Sequence, residues 1–296
     1  MRPAHRLASL QRTTRVLPLA PAAMLLLVFL AGPLYWSFQA SLTNVALTGR
    51  NARSPEWVGL ANYERLAADP LFPLSVGLTV VFVLASAVIG QNLLGLAIAA
   101  LMLKARKPVA ALVGTAVVAA WMLPEIVAAF AAYAYFSPEG TLNQLLAGVG
   151  IRGADWLFSY PLAAIILANV WRGTAFSMLV YRAALADVPA ELIEAAALDG
   201  AGDWQRGLYI TLPLIRRSVA TNLMLTTLQT LAVFTLIWVM TGGGPSNATA
   251  TLPVLAYQQA FRFGDIGYGT AIASVLILIG LVFGMGYARM LQEKVR

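Results

Sequence analysis

The chain has no cysteine, one histidine and three lysines among its 296 residues. Without cysteine there is neither a disulfide nor a thiolate metal site. The one histidine, His5, stands in a basic N-terminal stretch, so no histidine relay or multi-histidine metal cage forms within an apolar segment. None of Lys104, Lys107 and Lys294 lies in a G-x-x-x-x-G-K-[ST] setting, so the chain carries no P-loop and is not expected to hydrolyse ATP by itself. Charge is scarce too: 11% of residues are Asp, Glu, Lys or Arg, against roughly 25% in soluble domains. What is present instead is apolar, 59% of residues with a mean hydropathy of +0.75, which marks an integral membrane protein.

About 20 apolar residues cross a bilayer as a helix. That measure predicts an all-α protein with six spans, at 17–38, 74–103, 109–136, 160–183, 218–240 and 269–291. Arg2, Arg6, Arg12 and Arg15 precede the first span as a signal peptide would have it, but the run is long and Phe38 and Ala40 make no cleavage site, so an uncleaved anchor is expected. The second span is too long for a perpendicular helix and contains Gln91 and Asn92.

The net charge of +7 does not point to nucleic acid, because the basic residues alternate with the spans. Fourteen lie in the N-terminal tail (1–16), at 104–107, around 182–217 and at the C-terminus, against five (Arg50, Arg53, Arg65, Arg152, Arg262) on the other side. Both termini and the 187–217 loop are therefore expected in the cytoplasm. The exterior loops, about 39–73, 137–159 and 241–268, are too short for separate domains, so residues 17–296 read as one membrane domain. The run Thr241 to Pro245, TGGGP, reads as a flexible exit from the fifth span.

Between the fourth and fifth spans lies a polar helix–turn–helix. An amphipathic helix from Glu191 to Leu198 breaks at Asp199-Gly200 and restarts after an expected N-cap at Asp203. Ala195 to Ala197 make it thin and strongly helical, Gly200 permits the reversal, Glu194 offers a carboxylate, and Pro213 is expected to interrupt the second helix.

The spacing here is Glu194-Ala195-Ala196, three residues, Gly200, nine residues, Ile210, one residue, Leu212-Pro213. It resembles the EAA loop of permease subunits of binding-protein-dependent ABC importers. Four more patches, WVGLANYERL at 57–66, SPEGTLN at 137–143, TGGGP at 241–245 and AFRFGDIGYGTA at 260–271, resemble the sugar-type branch that includes maltose and glycerol-phosphate permeases.

The resemblance implies a six-helix type I (MetI-like) fold, with Glu194, Ala195, Ala196, Asp199, Gly200, Leu212 and Pro213 in a coupling helix gripped by an ATPase. It also implies two copies of that ATPase, a second homologous permease, an extracytoplasmic solute-binding protein and a bacterial inner membrane with its lipid. The chain itself would bind no cofactor, ATP and Mg being used by the partner.

Polar groups inside spans suggest a solute path. Asn169, Gly173 and Phe176 are spaced for one helical face of the fourth span, and Thr226 and Thr230, with Gln229 adjacent, for one face of the fifth. By the resemblance, Asn169, Gly173, Phe176, Thr226 and Thr230 match pocket-lining positions of maltose-type permeases, although the threonines replace Ser and Asn. The same residues equally suit helix–helix packing, where small and hydroxyl side chains let helices approach and bond. Arg172 and Glu125, the clearest charges within spans, could pair, or Arg172 could attract an anionic solute group.

The expected function is permease-mediated import of a sugar or sugar-like solute, with glycerol phosphate, a glycerophosphodiester or another polar solute as the alternative. A proton-coupled secondary carrier would need intramembrane ionisable groups and internal symmetry, and the chain offers little of either.

Overall fold

The structure, a computed structural model, describes residues 20–292. The basic tail with His5, the start of the first span, and Lys294 and Arg296 lie outside the described residues. We number the principal helices α1 (Pro21–Ser41), α2 (Ala61–Ala68), α3 (Leu71–Lys104), α4 (Lys107–Met122), α5 (Glu125–Phe136), α6 (Thr141–Gly148), α7 (Pro161–Ala186), α8 (Ala190–Leu198), α9 (203–214), α10 (Arg216–Leu231), α11 (Thr235–Thr241), α12 (Leu252–Tyr257) and α13 (Ile266–Gln292). Four of these, α1, α3, α7 and α13, are each long and apolar enough to cross a membrane.

Two expected spans are broken rather than continuous. The third bends by 106° between Lys107–Met122 and Glu125–Gly148. Pro124 supplies no N–H, and it drives Leu123 into the extended region (φ −60°, ψ 134°). The fifth bends by 49° between α10 and α11, without proline or glycine at the break. There Val233 and Leu236 are drawn into the core, and Phe234 stacks on Trp238 with centroids 5.8 Å apart. The second span is one helix of 34 residues, about 51 Å at roughly 1.5 Å per residue against an apolar bilayer core of about 30 Å.

The chain divides into two compact units. The first combines residues up to Ala68 with Ala256–Ser274. It brings together two of the sequence patches singled out above. Asn62 donates from Nδ2 to the carbonyls of Ser41 and Thr43, each at 2.8 Å. The amide of Gly267 donates to Val45 O at 2.9 Å and that of Leu47 to Gly264 O at 2.8 Å. Arg65 pairs with Asp265 at 2.6 Å while its guanidinium lies 4.0 Å over the ring of Tyr268. Asn62 and Arg65 of WVGLANYERL thus have structural partners in AFRFGDIGYGTA or at the end of α1 and just beyond it.

The second unit takes in Asp69–Leu255 and, among the described residues, 275–292. Its apolar core joins Phe82, Ala129, Phe136, Ile165, Leu236, Ile237 and Val254. Helix α3 lies so close to α7 that a Cβ on Gly173 would fall 2.2 Å from Gln91, and one on Gly95 2.5 Å from Ser177. The Thr241–Pro245 run, expected to be flexible, is an ordered turn. Gly242, Gly243 and Gly244 have φ of +60°, +101° and +76°, conformations that a side chain disfavours. Thr249 donates its amide to Gly243 O at 2.8 Å, and the Thr241 and Thr249 hydroxyls meet at 2.7 Å.

Candidate functional site: the α8–α9 hairpin and the buried polar face

Helix α8 ends in a hydrogen-bonded reversal that accounts for the spacing of its motif. The amide of Ala201 donates to Ala196 O at 2.9 Å, and that of Gly200 donates to Ala197 O at 3.1 Å. This pair of bonds is a Schellman cap, which requires a left-handed residue just past the helix. Gly200, with φ +84°, occupies that place. The three residues between the alanines and the glycine are thus the distance from the third-last helical carbonyl to the left-handed position.

The second helix starts one residue earlier than expected. Gly202, extended at φ −68° and ψ 165°, is the N-cap, and its amide donates to Gln205 Oε1 at 2.9 Å. Asp203 is the first helical residue, not the cap. Its Oδ2 accepts from Lys104 Nζ at 2.6 Å and its Oδ1 from Arg206 Nη2. These two cations hold its carboxyl below the ordinary value of 3.8, the bond from Lys104 first.

Pro213 does not stop the helix. A π-helical segment at Gly207–Thr211 shifts the hydrogen-bond register ahead of it, helical turns run through to Leu214, and the break falls at Ile215 (φ −88°, ψ 6°). The hairpin presents apolar side chains outward: Leu198 is 89% exposed, Trp204 80% and Tyr209 72%. Glu194, Ala195, Asp199 and Gly200 are exposed beside them, whereas Ala196 and Leu212 are half-buried.

The polar residues of the spans form a second constellation. Asn169, Gly173, Ser177 and Tyr181 recur every four residues along α7, and Asn222, Thr226 and Thr230 do so along α10. Between them α3 places Ser86, Gln91 and Asn92. Asn169 Nδ2 donates to Ser86 Oγ at 2.8 Å and to Thr230 Oγ1 at 3.5 Å, and Gln91 Nε2 donates to Asn169 O at 3.0 Å. Asn92 is a hub: its Oδ1 accepts from Asn222 Nδ2 at 2.8 Å and from the Tyr181 hydroxyl, while its Nδ2 donates to Thr226 Oγ1 at 3.3 Å.

Asn169, Thr226 and Thr230 are therefore brought together with their polar groups engaged in helix–helix bonds, and Gly173 leaves room for Gln91 beside them. The Phe176 ring lies 6.2 Å from that of Trp121 on α4, and Gln229 is exposed. Arg172 is half-buried, with Nε enclosed and unbonded, and no ion pair joins it to Glu125 among the described residues. The partners Ser86, Ser177, Tyr181 and Asn222 were not singled out from sequence; the four-residue recurrence of polar side chains in apolar helices is the signal that reveals them. A separate apolar cavity of about 590 Å³, lined by Tyr135, Phe136, Leu142, Leu167 and Trp171, contains none of the candidate residues.

Comparison with known proteins places this geometry. The sulfoquinovosyl glycerol transport system permease protein SmoG of Agrobacterium fabrum is 33% identical over 288 residues, covering 96% of this chain and 92% of that protein. The trehalose/maltose transport system permease protein MalF of Thermococcus litoralis is 33% identical over 278 residues, 92% of each chain. In the crystal structure of a bacterial ABC transporter involved in import of the acidic polysaccharide alginate, one chain shares the fold with a TM-score of 0.81. That match covers 99% of this chain and all of the other, at 20% identity. Residues 91–296, which hold the hairpin and most of the polar face, match the family described as binding-protein-dependent transport system inner membrane component, and the chain belongs to that family.

Proposed function

We propose that this chain is one permease half of an ATP-driven importer for a sugar or sugar-like solute, residues 17–296 acting as a single transmembrane domain. The observation that carries the reading is the capped α8–α9 hairpin, a rigid knob with Leu198, Trp204 and Tyr209 on its surface. An ATPase groove would bury those side chains, and Glu194 would meet a basic residue of the ATPase there. Losing a charge partner in such a partly desolvated groove costs about 2–5 kcal/mol.

Two ATPase copies would supply ATP and Mg chemistry, a second permease would complete the path, and an extracytoplasmic binding protein would deliver the solute. A bacterial alginate ABC transporter of similar fold, crystallised in complex with its oligosaccharide-bound periplasmic protein, accords with that assembly. Relatives named for trehalose, maltose, lactose and sulfoquinovosyl glycerol transport favour a saccharide. Both termini and the hairpin lie in the cytoplasm, on the distribution of Lys and Arg. Asn169, Gly173, Phe176, Thr226, Gln229, Thr230 and Arg172 border the solute path in this reading.

The test is uptake by a strain lacking the gene, complemented with wild type or with Glu194→Lys at matched membrane levels. Labelled trehalose, maltose, lactose, sulfoquinovosyl glycerol and glycerol phosphate make the panel. Wild type restores one saccharide and the variant does not. Restoration of glycerol phosphate alone selects the alternative solute, and wild-type uptake by Glu194→Lys removes the hairpin from coupling.

A further inference from the structure

The polar face described above binds three helices together, α3, α7 and α10. Two of them are joined to the hairpin by the chain itself, since α7 leads into α8 and α9 leads into α10. Helix α3 has no such covalent link. It does have Lys104, its last residue, whose ammonium lies 2.6 Å from Asp203 Oδ2, 99 residues away in sequence.

We propose that Lys104 and Asp203 form a tether that draws α3 along with the hairpin, and that Asp203 is a positioning residue for coupling. This rests on the importer reading given above. Both charges suit their places: a cation at the C-terminal end of α3 and an anion in the first turn of α9 each complement the local helix dipole. The carboxylate is also oriented before it meets the lysine, because Arg206 occupies its other oxygen. The link is therefore between two helix ends, with one side chain fixed in advance by its own helix. One lever then moves all three helices of the polar face, two through covalent continuity and the third through this pair.

The native chain has no cysteine, so two engineered ones report alone. Spin labels at Leu101→Cys on α3 and Tyr209→Cys on α9, both positions exposed, give the distance between the helices in the full chain in lipid nanodiscs. A single narrow distribution is expected for the otherwise native chain, a broad one with Lys104→Met or Asp203→Asn, and a narrow one again with Lys104→Arg. In the complete transporter, solute moved per ATP hydrolysed falls about two- to fivefold in either neutral variant, the scale of an exposed ion pair. The double variant falls no further.

An unchanged distribution in Lys104→Met, or additive losses in the double variant, overturns the tether. A role confined to folding would lower the amount of protein and leave the ratio of solute to ATP unchanged, which also overturns it. The distance measurement needs neither ATPase nor solute, so its failure is distinct from failure of wild type to restore uptake.

Discussion

At the scale of the residue, Gly200 and Asp203 carry the most consequence. Gly200 holds φ +84° with no neighbour crowding a Cβ, so the penalty of substitution is conformational and not steric. A left-handed alanine costs roughly 1–2 kcal/mol. Gly200→Ala is expected to lower uptake severalfold at unchanged membrane level, measured by transport against quantitative blotting. Asp203 has a depressed pKa in the folded chain, caused first by Lys104 and then by Arg206. A depressed carboxylate contributes stability above its unfolded pKa and loses it as pH falls through the folded pKa. The tether is therefore intact across the whole range above the ordinary carboxylate value of 3.8 and weakens only in stronger acid. The Leu101–Tyr209 label distance should be the same at pH 8 and pH 5; broadening by pH 5 would contradict the assignment.

At the scale of the element, side-chain amides and hydroxyls link helices that also approach closely through small residues. Asn92 meets Asn222, Tyr181 and Thr226 at once, so Asn92→Leu strands several polar groups in an apolar setting. The loss is expected to be about 1–3 kcal/mol, seen as a lower midpoint of thermal unfolding in detergent. An unchanged midpoint would mean that the network contributes nothing to helix association. The two broken spans show different causes at the same scale. Pro124 explains the first locally, while the turn at 232–234 answers to Val233 and Leu236 entering the core.

At the scale of the whole molecule, the chain is one component of a transporter whose ATPase is a separate protein. Uptake through the complete assembly is expected to survive collapse of the proton gradient and to stop when ATP is depleted. The reverse result would indicate a proton-coupled carrier. The absence of a P-loop and the lack of histidine within the spans are the sequence features behind that expectation.

Much of this was legible in the residues themselves. Apolar run length marked the candidate spans but read 109–136 and 218–240 as continuous; Lys and Arg placement gave an expected orientation, and the spacing from Glu194 to Pro213 marked the hairpin, because each depends on local geometry or on transfer from water to lipid. Asp203 was expected as the cap, whereas Gly202 takes that place with Gln205; the bond of Asp203 to Lys104, 99 residues away, lies beyond any local rule. Spacing put Phe176 on the face of Asn169, and only the packing of α4 brings the Trp121 ring to 6.2 Å from it. The bend at 232–234, the hub at Asn92 and the pairing of Arg65 with Asp265 likewise belong to tertiary structure. The sequence by itself determined which segments are apolar enough to span a bilayer and that the chain reverses at Gly200. The tertiary structure decided which polar groups find each other, since a buried amide or carboxylate is satisfied by whatever the packing of distant helices brings within hydrogen-bond reach.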